Sequence, residues 1–135
     1  MVLVDTNVVA YLLIEGDRTA AAQELRQRDV DWRSEALVLV EFSNVLVRTM
    51  TVRRLRLDIA QDLLARARTL FGNRLAQVAH SDALTVAAEF RITAYDARFL
   101  ALARETGLRL VTEDTKLRTA APSLTQSIDQ ALAAA

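Results

Sequence analysis

Four acidic residues lie in or beside apolar segments, where carboxylates are uncommon. Asp5 follows "VLV", Glu41 lies within "ALVLVEFSNVL", Asp96 begins "DARFLALA" and Asp114 follows "LRLVTE". A lone buried carboxylate costs on the order of several kcal/mol unless it is paired or bound to a metal. If the four side chains converge, they cannot all ionise without a cation, because like charges raise one another's pKa.

The other residue types narrow the chemistry that these acids can perform. The chain has no cysteine and one histidine, His80. This excludes disulfides, thiolate metal sites and multi-histidine metal sites, and a Ser-His-Asp triad would have to use His80. Sites made of oxygen ligands alone suit Mg²⁺ or Mn²⁺, which activate water and stabilise the charge that develops in phosphodiester cleavage. The acids therefore predict a metal-dependent phosphoryl hydrolase.

Each acid also has a purely structural interpretation. Asp5, Asp96 and Asp114 could be helix N-caps, because aspartate is a favoured residue at that position. Glu41 could form a buried ion pair, and Arg48 is its nearest candidate partner, about two turns along the same helix. Caps would not explain Glu41, and the coincidence of four such positions favours a shared site.

Hydrophobic patterning predicts the elements that position the acids. Strands are expected at 2–4, 30–33, 75–79, 108–112 and 124–128, and helices at 7–14, 18–28, 36–54, 58–71, 81–91, 96–106 and 115–120. This alternation predicts an α/β fold with a parallel sheet covered on both faces. Ligands bind such sheets at the carboxyl ends of the strands, near a switch in strand order, and Asp5 and Asp114 each follow a predicted strand.

Length, composition and charge bound the class of protein. The chain has 135 residues with no linker or repeat, so a single domain spanning 1–135 is expected. Apolar residues make up 52% of it, which excludes a disordered protein. Seventeen basic and 17 acidic residues leave no general basic field for nucleic acid. No apolar segment approaches the ~20 residues of a membrane span, and the N-terminus lacks a signal-peptide pattern, so a cytoplasmic location without a membrane partner is expected.

Four segments together resemble the PIN domain family, and most closely the VapC toxins of toxin–antitoxin pairs. They are "LVDTN", "VEFSNVL", "TAYDARFLALA" and "LVTEDTKL", which occur in the family's order and spacing over nearly the whole chain. The resemblance implies a three-layer α/β/α fold around a parallel sheet of about five strands. It also implies ribonuclease activity with Mg²⁺ or Mn²⁺, a cognate antitoxin as partner and a homodimer.

The same resemblance assigns roles to individual residues. The four acids would be the catalytic, metal-binding set, with Thr6, Asn7 and Thr112 as supporting residues. In the family, such acids hold metal that orients and deprotonates a water, whose attack on the phosphodiester leaves a 3′-hydroxyl and a 5′-phosphate. The segment "RSEALVLVE" lacks the proline that family members often have shortly before the helix glutamate.

Residues near the acids are weaker candidates for function. Arg98 and Lys116 each lie two residues from a proposed site acid and are candidate contacts to the RNA backbone, although a single arginine is as readily explained by a solvated helix surface. Trp32 and His80 are interpreted as structural. Glu113 is expected to face away from Asp114, because neighbouring side chains leaving a strand point to opposite sides.

Three other functions compete with the nuclease. Response-regulator receivers have paired acids after the first strand, and haloacid-dehalogenase phosphatases have Asp-x-Asp there, whereas this chain has Asp5, Thr6 and Asn7. A non-catalytic scaffold with the PIN fold is the stronger alternative. The complete set of four acids argues against it, and metal-dependent cleavage that is lost in Asp5→Asn would separate the two.

Overall fold

The structure is a computed structural model that describes residues 1–134, so the last residue of the predicted domain, Ala135, lies outside the described residues. Within residues 1–134 the strands are β1 (Val2–Val4), β2 (Trp32–Glu35), β3 (Leu75–Ala76), β4 (Leu110–Val111) and β5 (Thr125–Gln126). The helices are α1 (Thr6–Leu13), α2 (Thr19–Arg28), α3 (Leu37–Val52), α4 (Leu57–Phe71), α5 (His80–Phe90), α6 (Ala94–Thr106), α7 (Thr115–Ala120) and α8 (Ile128–Ala134).

The five described strands form one parallel sheet in the order β3-β2-β1-β4-β5. Val4 lies beside Val111, so β1 and β4 end together. Strands β1, β2 and β3 follow one another toward one edge of the sheet, and β4 and β5 then lie on the other side of β1. The direction of strand order therefore reverses between β1 and β4, and this position is called the switch point. Helices flank the sheet, and the predicted three-layer α/β/α fold with five parallel strands is confirmed.

The central strands are apolar because helices cover the sheet on both faces. Leu3, Val4, Leu110 and Val111 are all buried, as are the inner faces of α1, α3 and α6. Helix α6 is the most deeply packed of these, with every residue from Phe99 to Ala103 buried. A rigid core therefore lies directly beneath the ends of β1 and β4.

The observed helix boundaries differ from the predicted ones by a few residues. Helix α6 begins at Ala94 because Thr93 is its N-cap, so the expectation that Asp96 opens this helix is wrong. Its predicted end is confirmed: Gly107 has φ +73°, a left-handed conformation that glycine adopts without strain. Helix α3 ends at Val52, two residues earlier than predicted, and Arg54 has φ +54°. No helix among residues 1–134 has the length and apolar character required to cross a bilayer.

Candidate metal-dependent active site

Asp5 lies at the carboxyl end of β1 and is the N-cap of α1. Its Oδ1 accepts a hydrogen bond from the Val8 amide at 3.2 Å, and the residue is only 8% exposed. A buried cap is unusual for an acid, because a cap requires one carboxylate oxygen and gains nothing from burying the other. The cap interpretation is therefore correct but does not explain the burial.

Asp114 has a similar position after β4. Its Oδ1 accepts from the amides of Lys116 at 3.0 Å and Leu117 at 3.2 Å, which makes it the N-cap of α7. Its own amide donates to the Thr112 hydroxyl at 3.1 Å. As in Asp5, these hydrogen bonds involve Oδ1, and the orientation of the carboxylate is fixed by the start of a helix.

Glu41 is half-buried on the second turn of α3 and does not form the suggested ion pair with Arg48. Instead, its Oε1 accepts a hydrogen bond from the Thr6 hydroxyl at 2.7 Å. Thr6 is the first residue of α1 and directly follows Asp5. One hydrogen bond therefore ties the carboxylate of α3 to the segment that carries Asp5.

Asp96 is half-buried on the first turn of α6. Its amide donates to the Thr93 hydroxyl at 3.1 Å, so Thr93 is the cap and the N-cap interpretation of Asp96 is wrong. The carboxylate of Asp96 does not cap the helix, so it is available for contacts outside α6.

All four acids line one cavity of about 350 Å³ at the switch point. Thr6 and Asn7 line it beside Asp5, and Asn44 and Arg48 line it from α3. The exposed Tyr95 lies at its edge. The structure thus brings together the four acids from the ends of β1 and β4 and from two helices, as expected for a ligand site of a parallel sheet.

Burial and mutual repulsion make this cluster electrostatically unfavourable. Burial is the largest cause that raises the pKa of Asp5, to about 7, and the charges of Asp96 and Glu41 raise it further against hydrogen bonds from Thr112 and Val8. Burial likewise raises the pKa values of Glu41 and Asp96. The charge of Asp96 contributes to the shift of Glu41, and the charge of Asp114 to that of Asp96. The four carboxylates therefore interact through space as one group.

No basic side chain neutralises this group within residues 1–134, where every ion pair involves other acids. The donor chemistry, oxygen atoms with excess negative charge, fits a hard divalent cation. Among the same residues, no three acidic or histidine side chains are arranged so that they could bind one ion together. Mg²⁺ does not require one, because it keeps several waters and is commonly bound by one or two carboxylates. The residues present therefore fit a hydrated divalent ion.

The two basic candidates do not lie in this cavity. Arg98 is 14% exposed at its side chain and is paired with Glu35, which disfavours its predicted contact with RNA. Lys116 is exposed outside the cavity lining, and its contact with RNA stays a prediction. Glu113 faces away as expected, because it binds Arg18 at 2.9 Å. Thr112 is fully buried, lowers the pKa of the nearby Asp5 and accepts a hydrogen bond from the Asp114 amide, and its supporting role stays a prediction.

The sequence analysis missed two polar cavity residues, Asn44 and Tyr95, and named Arg48 only as a candidate ion-pair partner of Glu41. Asn44 and Arg48 follow Glu41 by three and seven positions, a spacing that places all three on one face of α3. That spacing was a usable signal once Glu41 was identified. Tyr95, 64% exposed, directly precedes Asp96 and had no comparable signal.

The fold and the acidic cavity define a small parallel α/β protein with a candidate cation site at the strand ends. The family model described as "PIN domain" matches residues 2–121 of this chain. The chain belongs to the PIN domain family, whose members are generally nucleases that use divalent metal ions.

Solved structures with the same fold include PAE2754 from Pyrobaculum aerophilum, at 24% identity and a TM-score of 0.75, covering 98% of this chain and 92% of that one. FitAcB from Neisseria gonorrhoeae is 20% identical with a TM-score of 0.71, covering 95% and 98%. A toxin–antitoxin complex from Klebsiella pneumoniae is 19% identical with a TM-score of 0.66, covering 93% and 97%. No curated protein sequence matches this chain.

Proposed function

We propose that this protein is a metal-dependent endoribonuclease and the toxin of a toxin–antitoxin pair. The observation that supports the nuclease best is the convergence of four carboxylates in one cavity, none of which forms an ion pair with a basic side chain of residues 1–134. Such a cluster is unfavourable as a structural device, because burial and repulsion raise the pKa values of its members. It becomes favourable when a cation binds.

In this proposal the four acids Asp5, Glu41, Asp96 and Asp114 bind Mg²⁺ or Mn²⁺. The bound ion would supply an activated water and stabilise the charge that develops at the phosphodiester. Thr6 orients Glu41 by its hydrogen bond, and Thr112 holds the backbone at Asp114 by accepting from its amide. Asn7 lines the cavity beside them.

Groups at the cavity edge suit a nucleic-acid chain. Arg48, on the cavity wall, can contact a phosphate. Tyr95 exposes an aromatic ring beside the acids, where an unstacked base can pack on it. RNA offers such unpaired bases in loops and single strands, which supports RNA as the proposed substrate. The cytoplasm, as a compartment that contains RNA, is the proposed location.

The proposed partners are a cognate antitoxin and a second copy of the chain. One of the neighbouring structures is described as a toxin–antitoxin complex. Three large apolar side chains, Val40 of α3, Leu84 of α5 and Tyr95 of α6, are exposed and line one surface pocket beside the cavity. A contiguous apolar surface of this kind supports a protein partner, and the mass in solution with and without a co-expressed antitoxin would test both partners.

Cleavage of total cellular RNA by the purified protein tests the proposed function. We expect discrete fragments with Mn²⁺ or Mg²⁺ and none with a chelator. Asp96→Asn should abolish cleavage, while Asp82→Asn, which changes an exposed acid on the first turn of α5, should retain it. Equal cleavage by both variants would contradict the assignment. A folded protein that neither cleaves RNA nor binds Mn²⁺ would favour the non-catalytic scaffold.

A further inference from the structure

A fifth acid, Glu35, lies buried near the four cavity acids and is already paired. It is the last residue of β2 and is 1% exposed. Its Oε2 accepts a hydrogen bond from Nε of Arg98 at 2.8 Å. Arg98 belongs to α6, two residues after Asp96.

Both members of this pair have further partners. Glu35 accepts from the Leu37 amide through Oε1 at 2.7 Å and from the Val78 amide through Oε2 at 3.2 Å. Arg98 donates to the Val78 carbonyl at 2.9 Å and lies 3.2 Å from Nδ1 of His80. Each of the three guanidinium nitrogens of Arg98 therefore has a partner, and so does each carboxylate oxygen of Glu35.

The pair joins the two helices that carry cavity acids. Leu37 is the first residue of α3, one turn before Glu41, so Glu35 holds the start of that helix. Arg98 lies one turn into α6, beside Asp96. Within residues 1–134 it is the only ion pair between α6 and the β2–α3 segment.

Stability alone is a weak reason for such a pair. Replacing both members of a buried ion pair by uncharged residues of similar volume often leaves the free energy of unfolding unchanged or raises it. Removing only one member is destabilising, because the remaining buried charge has lost water and has no partner. What the pair provides is a fixed geometry, since guanidinium and carboxylate groups interact only in a narrow range of orientations.

We propose that Glu35 and Arg98 are positioning residues that set the spacing between the carboxylates of Glu41 and Asp96 for cation binding. The inference rests on the proposed metal-dependent function. The pair also keeps the Arg98 guanidinium directed at Glu35, so that it does not neutralise the cavity acids in place of a cation.

The test uses the double variant Glu35→Gln/Arg98→Met, which removes both charges and leaves none uncompensated. The glutamine oxygen can still accept from the Leu37 amide, and methionine retains part of the arginine stem. The matched control is Glu89→Gln/Arg104→Met, because Arg104 of α6 forms another ion pair, with Glu89 of α5, at 2.6 Å and half-exposed, away from the cavity.

We expect the double variant to unfold within a few degrees of the wild-type protein but to bind Mn²⁺ about 10–100-fold more weakly by calorimetry, the usual effect of losing a residue that orients a ligand. RNA cleavage at saturating substrate should fall with it. The control should bind Mn²⁺ and cleave RNA as the wild-type protein does. Arg98→Lys, which keeps the charge without the planar fork, should give a smaller loss and serves if the double variant does not fold.

Unchanged Mn²⁺ affinity in a folded double variant, or in Arg98→Lys if the double variant does not fold, would overturn the positioning role and leave the proposed function standing. An equal loss in the control would also overturn it, because the effect would then be general to α6. A wild-type protein that binds no Mn²⁺ would overturn the proposed function, and the positioning role with it.

Discussion

Asp5 shows that a structural role and a chemical role can share one side chain. Its Oδ1 caps α1 by accepting from Val8, which a purely structural residue would also do. Yet burial is the main cause that raises its pKa from 3.8 to about 7, and hydrogen bonds from Thr112 and Val8 do not cancel that effect. A residue selected only as a cap would remain near the surface, so the burial indicates a function that the cap does not supply.

Asp5→Asn is predicted to stabilise the metal-free protein at pH 8. Asparagine caps a helix as well as aspartate does, so the change removes only the buried charge. Because the folded-state pKa is raised above the unfolded value, the wild-type protein loses stability as pH rises from about 4 to about 7. The variant should gain up to about 4 kcal/mol at pH 8 and little at pH 4, since one pKa unit corresponds to ~1.4 kcal/mol and the pKa of Asp5 is raised from 3.8 to about 7.

Urea unfolding at both pH values, with a chelator present, measures this difference. The exposed acid change Asp82→Asn is the control and should alter the free energy of unfolding little at either pH. A variant of Asp5 that is less stable than the wild-type protein at pH 8 would show that another group in the folded protein compensates the buried charge.

Asp114 allows the cap and the ligand roles to be separated. Asp114→Asn keeps the hydrogen bonds to the Lys116 and Leu117 amides, whereas Asp114→Ala loses them. We expect Asn to retain stability and Ala to lose about 1 kcal/mol, while both lose metal-dependent cleavage. Unfolding midpoints and cleavage rates of the two variants measure this. Activity that follows stability, retained in Asn and lost in Ala, would mean that Asp114 acts only as a cap.

The sequence was sufficient to predict that these four acids lie together in one site. It was not sufficient to predict all of the contacts that they make. Asp5 and Asp114 could be placed because strand ends are visible in apolar patterning. The partner of Glu41 could not, because Thr6 is 35 positions away and only the fold brings it near. The pairing of Arg98, which disfavours its predicted contact with RNA, could not be foreseen for the same reason, since its partner Glu35 is 63 positions away.

Three of the four acids lie at the start of a helix. Asp5 and Asp114 are N-caps of α1 and α7, and Asp96 is on the first turn of α6. Helix starts have unpaired amides and a partial positive charge that favour carboxylates. This effect orients the acids, but the net rise in the pKa values of Asp5 and Asp96 shows that burial and repulsion outweigh it.

Thr93→Ala is predicted to weaken the start of α6. The Thr93 hydroxyl accepts from the Asp96 amide, so its loss should cost about 1 kcal/mol of folding free energy. The first turn, which carries Asp96, should become more mobile, and amide hydrogen exchange at Asp96 and Ala97 should become faster. Thr93→Ser keeps the hydroxyl and is the matched control. Unchanged exchange in the alanine variant would mean that packing of α6, and not the cap, holds this turn.

Element boundaries were harder to predict than element types. Helix α6 was expected to begin at Asp96 because aspartate is a favoured cap, but Thr93 has the same capacity and lies three residues earlier. The end at Gly107 was predictable because glycine adopts a positive φ more readily than other residues. The end of a helix that is marked by glycine can therefore be predicted more closely than a helix start at which two residues could each act as the N-cap.

At the scale of the whole molecule, strand order explains why the acids meet. The order β3-β2-β1-β4-β5 places the ends of β1 and β4 side by side, although Asp5 and Asp114 are far apart in sequence. Helices α3 and α6 then add Glu41 and Asp96 to the same cavity. With a formal net charge of zero, the molecule has no general attraction for nucleic acid, so the proposed RNA binding depends on local groups around the cavity.

The most direct test of the account is anomalous diffraction from crystals of the protein soaked in Mn²⁺. We predict an anomalous peak in the cavity at the switch point, in direct contact with a carboxylate oxygen of at least one of the four acids and within reach of the others through bound water. Asp96→Asn crystals should show a weaker peak or none. Mn²⁺ bound only elsewhere on the wild-type protein, with the cavity acids unliganded at saturating metal, would contradict the central claim that these four carboxylates form a cation site.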